Sequence, residues 1–282
     1  MRAIASVNGE IVPLQEARIA ALDRGFLFGD SVYEVIRVYR GKPFLLEEHL
    51  ARLRRSLEAI RLPFSDLDGL RHRVLQLIAR FGFQEAILYI QITRGADVTR
   101  RHVFPEQARP LEFFYVEDFE DHYEPLRQQG VAVITHPDLR WERCDIKSTN
   151  LLPNVLAAQA AKEAGAYEAL LYLPDGTLLE GSRTSCFGVM EGKLLTAPST
   201  PNILPGITRA LVLRLAREMD IAVQEQVLRL ADLPRVSELF LTGTTSEILP
   251  VVRVDGQMVG DGRPGPITRR LQQAYRRLVA AL

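Results

Sequence analysis

Hydrophobic positions along the chain change period several times, and each change marks an element. From Ile4 to Val12 the residues alternate around Asn8-Gly9, the dipeptide that best accepts positive φ at both centres of a tight turn. A hairpin is predicted to open the chain. Residues 32–39, Val-Tyr-Glu-Val-Ile-Arg-Val-Tyr, alternate with period two, are rich in β-branched and aromatic side chains and stop at Arg40-Gly41-Lys42, which predicts a strand. From Glu47 to Ile60 the residues Leu50, Leu53, Leu57 and Ile60 recur every three or four positions, and Asp66 to Phe81 does the same, predicting two amphipathic helices. Strand-like runs at 86–93 and 111–117 then complete a unit of strands, helices and strands, the order of an α+β domain.

The acidic stretch from Glu117 to Glu124, ending at Pro125, reads as a domain boundary, although its charge fits a solvated face equally well. The expected organisation is a small N-terminal domain over 1–118, a linker over 119–130 and a larger, β-rich domain with helices over 131–282. In that second part strands are predicted at about 130–135, 168–173, 185–190 and 238–242, and helices at about 153–164, 206–219 and 266–280. Pro174-Asp175-Gly176-Thr177 and Asp255-Gly256 read as hairpin turns.

Charge narrows the function. Thirty-five basic residues balance thirty-five acidic ones, so the chain lacks the long-range positive field of a protein that grips nucleic acid or an anionic membrane. Only two cysteines occur, Cys144 and Cys186, which points to a reducing compartment and away from a disulfide scaffold or a thiolate metal centre. No apolar run reaches membrane-spanning length, and the first residues turn polar too soon for a signal peptide. A cytoplasmic enzyme of small-molecule chemistry, with no metal, is the expectation.

Four clusters offer chemistry. In Arg143-Cys144-Asp145-Ile146-Lys147-Ser148-Thr149-Asn150 a lysine sits between a strand-like segment and a helix that Pro153 would start well. A lone lysine beside an aspartate is more often an exposed or paired surface residue, and a catalytic one needs a neutral amine. Glu180 heads the small, polar run Gly181-Ser182-Arg183-Thr184-Ser185, which a hairpin end would explain as well. Gly206-Ile207-Thr208 opens an amphipathic helix, where free N–H groups and a hydroxyl attract anions, yet many helices begin this way and bind nothing. Thr242-Gly243-Thr244-Thr245-Ser246-Glu247 follows an apolar strand with another set of hydroxyls and amides, without the glycine–lysine–threonine order of a Walker loop.

Read in order along the chain, these clusters form a larger pattern. It runs from Asp23-Arg24-Gly25 and Phe28-Gly29-Asp30 through Val32-Tyr33-Glu34-Val35, Glu48-His49 with Arg52-Leu53, and Arg140-Trp141 to Lys147. Tyr167-Glu168-Ala169, the Glu180 cluster, Gly206 to Arg209 and Thr242 to Glu247 complete it. The pattern resembles the class IV, or fold-type IV, pyridoxal-phosphate aminotransferases over almost the whole chain, and among them the bacterial D-amino acid transaminases most strongly. That resemblance implies a two-domain α+β fold and pyridoxal 5'-phosphate as cofactor. Lys147 would form the Schiff base and shuttle the proton, and Glu180 would face the pyridine nitrogen. Arg52, Ile207, Thr208 and Thr244 would cradle the phosphate, with Leu204 against the ring. The sequence departs from the family at Ser185, usually asparagine, and at Gly243, often serine.

The resemblance also implies the reaction, a transamination between D-amino acids such as D-alanine and D-glutamate and 2-oxo acids in two half-reactions. The alternatives are a branched-chain L-amino acid transaminase, an (R)-selective amine transaminase, and an aminodeoxychorismate-type lyase, whose usual sequence lacks the Arg100–His102 pair. In an extended loop Arg100 and His102 point to one side and can meet a carboxylate together with Tyr33, although a basic loop is as readily just solvated. In D-amino acid transaminases such an arginine and histidine come from the neighbouring subunit, so the resemblance implies a homodimer.

Overall fold

The computed structural model describes residues 2–97 and 99–282. The chain folds into two compact units. The first takes the chain up to Glu120 together with Ile146–Asn150 and Leu282. It contains β1 (Ala3–Val7), β2 (Glu10–Pro13), α1 (Arg24–Phe28), β3 (Ser31–Tyr39), β4 (Lys42–Pro43), α2 (Leu46–Ala59), α3 (Leu67–Phe81), β5 (Ala86–Thr93) and β6 (Leu111–Asp118). Asn8 and Gly9 turn the first hairpin at φ of 50° and 88°, the conformation their type predicts. The strands form one antiparallel sheet in the order β2-β1-β6-β5-β3-β4.

Alternation in the strands decides what each face of this sheet carries. Val32, Ile36 and Val38 of β3, Leu88, Ile90 and Ile92 of β5, and Phe114 and Val116 of β6 face the apolar stripes of α2 and α3. Leu50, Leu53 and Leu57 meet them from α2, and Leu70, Val74 and Leu77 from α3. Each fully buried leucine contributes about 1.5–3 kcal/mol, so truncating the fully enclosed Leu53 to alanine would cost about 2–5 kcal/mol with its cavity. The opposite face carries rings: Tyr89 stacks on Tyr33 at 5.8 Å and on Tyr115 at 5.2 Å.

Because β4 pairs only with Val38 and Tyr39, the start of β3 would be a bare sheet edge. The strip around Lys147 covers it. Tyr33 N–H donates to the Lys147 carbonyl at 3.0 Å, Thr149 N–H donates to the Ser31 carbonyl at 3.3 Å, and Ser148 bridges Val32. Asn150 Nδ2 then donates to the Gly29 carbonyl at 3.2 Å, and the Gly29 φ of 65° is the left-handed conformation that favours glycine. The expected span 131–282 is therefore interrupted, since Ile146–Asn150 belongs to the first unit.

The second unit comprises Asp121–Asp145 and Leu151–Ala281. Its elements are α4 (Glu124–Gln129), β7 (Val131–Pro137), α5 (Leu152–Glu163), β8 (Glu168–Tyr172), β9 (Leu178–Gly181), β10 (Ser185–Met190), β11 (Lys193–Thr196), α6 (Ile207–Glu218), β12 (Val223–Glu225), β13 (Glu238–Gly243), β14 (Glu247–Val254), β15 (Gln257–Met258) and α7 (Pro266–Ala280). The strands follow the order β12-β11-β10-β13-β14-β7-β8-β9, with β15 beside β14. The pairs β11–β12, β14–β7 and β7–β8 are parallel and the rest antiparallel. Residues 119–130, expected as a linker, contain α4. Pro125 suits its first turn, and the acidic Glu124 is neutralised by Arg127 and by Arg276 of α7.

Several carboxylates in this unit serve the backbone. Glu238 of β13 accepts from Ile267 N at 3.0 Å, Thr268 N at 2.8 Å and Thr268 Oγ1 at 2.7 Å, capping α7 from a neighbouring strand. Neither unit repeats a regular β-α-β alternation, and the fold is α+β. Among the described residues no helix is long and apolar enough to cross a membrane.

Candidate active site

In the first unit the chemistry gathers around Lys147. Its backbone is held from two sides, the carbonyl by Tyr33 N–H and its own N–H by Ser56 Oγ of α2 at 3.2 Å. Its ammonium lies 4.2 Å from the centre of the Tyr33 ring. On the buried side of α2, His49, Arg52 and Ser56 follow one another at helical spacing. Arg52 grips Glu34 of β3 through Nε to Oε1 at 2.8 Å and Nη2 to Oε2 at 2.7 Å, and His49 Nδ1 meets Oε2 at 2.7 Å. Burial alone would raise the Glu34 carboxyl. The Arg52 charge and the hydrogen bonds from Arg52 and His49 outweigh it and hold the group at about 2. His49 is pushed below its ordinary value, by burial first, against the pull of Glu34.

In the second unit the corresponding centre is Glu180, at the end of β9 and buried. Arg140 Nη1 donates to Oε1 at 2.6 Å, and Leu204 N–H donates to the same carboxylate at 3.1 Å and 3.3 Å. Arg140 is itself gripped by Asp138 at both oxygens, at 3.0 Å and 2.8 Å. Burial pushes the Glu180 carboxyl above its usual range, and the Arg140 charge only partly offsets this. Such a group shares its proton readily with a nitrogen base. Leu204 leads into α6, whose N-cap Gly206 supplies no side-chain cap, so the first N–H groups at Ile207 and Thr208 keep their pull on an anion. Thr244 lies in the turn between β13 and β14, beside Thr242, whose buried Oγ1 has no hydrogen-bond partner among the described residues.

The loop before β6 places Arg100 and His102 together. Both pack on Phe28, the Arg100 guanidinium 4.9 Å and the His102 ring 5.2 Å from its centre. The buried Arg24 pins the loop by donating to the carbonyls of Arg101, His102 and Val103, while Asp30 holds Arg24 at 2.9 Å. Arg101 instead pairs with Asp97 at 3.1 Å.

The sequence model of the family Amino-transferase class IV matches residues 31–254. The chain is a class IV aminotransferase. It is 40% identical over 269 residues to a D-alanine aminotransferase of Bacillus licheniformis, covering 95% of this chain and 94% of that one. A D-alanine aminotransferase of Staphylococcus haemolyticus is 36% identical over 275 residues, with 97% and 96% covered. Among solved structures, Escherichia coli branched-chain amino acid aminotransferase superposes with a TM-score of 0.91 at 29% identity, covering 99% of this chain and 95% of that one. The branched-chain amino acid aminotransferase of T.th. with pyridoxamine 5'-phosphate gives 0.89 at 28% identity, with 99% and 94% covered.

Within this aminotransferase, Tyr33, Arg52 and Lys147 fall in the first unit, and Glu180, Leu204, Ile207, Thr208 and Thr244 in the second. Ser185 and Gly243 both lie in close surroundings. A Cβ on Gly206 would come within 2.7 Å of Ser185 Oγ, so the smaller Ser185 lies close against the start of α6. At Gly243 a Cβ would come within 2.8 Å of Ser246 Oγ, so that hydroxyl would have to shift for a larger residue.

Sequence reasoning gave no role to Glu34, His49, Asp138, Arg140 or Glu168 in this aminotransferase. Glu168 is fully buried and accepts from Ser182 N at 3.2 Å, Ser182 Oγ at 2.5 Å and Thr184 Oγ1 at 3.1 Å, which fixes the turn after Glu180. The readable signal was an acid in the inward register of a strand. Val32, Glu34, Ile36 and Val38 share one face of β3, and a carboxylate there has to find partners.

Proposed function

We propose that this class IV aminotransferase uses pyridoxal 5'-phosphate to exchange amino groups between D-amino acids of the alanine and glutamate type and 2-oxo acids. The observation that carries the reading is full-length similarity, at 36–40% identity, to proteins named D-alanine aminotransferase. The braced pair Arg100–His102 adds to it, because a guanidinium beside an imidazole is a carboxylate receptor. The branched-chain neighbours share the fold at lower identity and support that reading less.

The donor set fits the cofactor. In the first unit Lys147 offers a primary amine beside an aromatic ring, and Arg52 offers a guanidinium of fixed orientation for a phosphate. In the second unit Glu180 offers a buried carboxylate with raised proton affinity for a ring nitrogen, with Leu204 fixed next to it. The uncapped start of α6 at Ile207 and Thr208, with the Thr244 turn, offers N–H groups and hydroxyls to an anion. When bound, pyridoxal 5'-phosphate supplies the electron-poor ring that stabilises negative charge at the substrate Cα. Lys147 then holds the amine that takes and returns the Cα proton, Glu180 keeps a proton at the ring nitrogen, and Tyr33 with Arg100 and His102 orients the carboxylate.

We assign the working state as a homodimer in which Arg100 and His102 serve the neighbouring subunit. Both are exposed in the single chain, and Phe26 and Val103, near the same loop, leave 76% and 67% of their surface open. The compartment we assign is the cytoplasm, since both cysteines are buried and unpaired.

A chiral assay tests the reading. D-alanine with 2-oxoglutarate should yield pyruvate and D-glutamate, while L-leucine should react poorly. Strong turnover of L-leucine with none of D-alanine would reject D-specificity for the branched-chain activity, and pyruvate release from aminodeoxychorismate without an acceptor would indicate the lyase. Light scattering should give twice the mass of one chain.

A further inference from the structure

We propose that Glu34 is a positioning residue for the cofactor phosphate, acting through Arg52 and itself held in place by His49. The inference rests on the reading of Arg52 as a phosphate ligand. Three ionisable side chains are buried together: Glu34 is fully enclosed and His49 and Arg52 are each 3% exposed, on the two elements that also bring Val32, Leu50 and Leu53 to the apolar core.

Stability alone does not account for them. Desolvating an ion pair costs as much as the attraction returns, and apolar residues of similar volume are usually at least as stable in such a place. Geometry gives the alternative. Nε and Nη2 of Arg52 bond different oxygens of one carboxylate, a fork-to-fork pairing that fixes the guanidinium plane and the direction of its Nη1 edge. An arginine on a long, flexible stem thereby becomes a preset ligand, and the entropy of ordering it is lost on folding rather than on binding.

His49 completes the device. Glu34 is ionised and can only accept, so His49 Nδ1 carries the hydrogen and donates it to Oε2, the oxygen that also receives Nη2. The carboxylate is thus clamped from two points on α2, three residues apart. Ser56, one turn further along that helix, receives the N–H of Lys147. One helix face therefore aligns the phosphate arginine and the backbone of the reactive lysine together.

The test titrates apo forms of Glu34→Gln, Glu34→Asp, Arg52→Met and the double variant Glu34→Gln/Arg52→Met, once with pyridoxal 5'-phosphate and once with pyridoxal. Absorbance reports binding, and melting of each apo form reports stability. Glu34→Gln should weaken pyridoxal 5'-phosphate about 10- to 100-fold, the scale of one hydrogen bond to a charged group, and leave pyridoxal binding close to wild type. The double variant should bind no worse than Arg52→Met alone, because Glu34 acts through the arginine. Glu34→Gln strands a buried cation; if it fails to fold, Glu34→Asp and the double variant, which remain balanced in charge, carry the same comparison. Equal losses for both ligands, or additive losses in the double variant, would overturn the positioning role while leaving Arg52 as a phosphate ligand. Unchanged pyridoxal 5'-phosphate binding in Arg52→Met would overturn both.

Discussion

Lys147 and Tyr33 are joined twice: the ammonium stands 4.2 Å from the centre of the tyrosine ring, and Tyr33 N–H donates to the lysine carbonyl at 3.0 Å. The ring supports the side chain and the strand supports the backbone. Phenylalanine at 33 keeps both supports and removes only the hydroxyl, so Tyr33→Phe should raise the substrate KM and leave the visible cofactor absorption intact. Tyr33→Ala also removes the cation–π contact, worth about 0.5–2 kcal/mol, and should disturb that absorption. Lys147→Ala should abolish the absorption and nearly all turnover. A borohydride-reducible adduct persisting on Lys147→Ala would place the attachment elsewhere.

Glu180 is expected to matter for rate more than for occupancy. Its amide analogue fills the same space beside Arg140 and Leu204 but no longer attracts a proton onto a ring nitrogen. Glu180→Gln should retain cofactor through dialysis and lose kcat by orders of magnitude. Stopped-flow measurement of each half-reaction reads this directly, and wild-type rates would remove the role.

The register of the basic loop can be read from two substitutions. Arg100 packs on Phe28 beside His102, whereas the Arg101 side chain is engaged with Asp97. Arg100→Ala should lower kcat/KM for D-alanine by about 30- to 1,000-fold, the loss of roughly 2–4 kcal/mol of charge-assisted contact in the transition state. Arg101→Ala should change it little. Reversed effects would shift the carboxylate contact by one residue.

How far the sequence alone carried depends on where each residue finds its partners. Lys147, Glu180 and the start of α6 sit in short contiguous segments, so the sequence alone could single them out as candidates. That the lysine strip belongs to the first unit was not, because its hydrogen bonds go to Ser31 and Tyr33, more than a hundred positions earlier. The long strand β14 was missed since Pro250 interrupts it and an enclosed strand shows no alternation. Arg140 stood in the family pattern without a role, because Glu180, forty positions on, meets it only in the fold.

Glu168 offers a stability measurement separate from chemistry. Its carboxylate is fully enclosed and accepts from two backbone N–H groups, of Ala169 and Ser182, and from two hydroxyls. Glu168→Gln turns one acceptor into a donor facing another donor, and should cost about 1–3 kcal/mol, visible as a lower melting temperature of the apoprotein. An unchanged melting temperature would show that the turn after Glu180 keeps its shape unaided.

The return of Ile146–Asn150 to the first unit limits how this gene can be cut or recombined. A fragment ending at Glu120 carries the sheet without its lysine, and one beginning at Asp121 carries the lysine without the strand that seats it. Swapping halves between related genes at that point would draw the amine from one parent and its seat from the other. The two units are therefore modules in space but not in heredity, and only crossovers that keep Tyr33 and Lys147 from the same parent preserve the seat as it was selected.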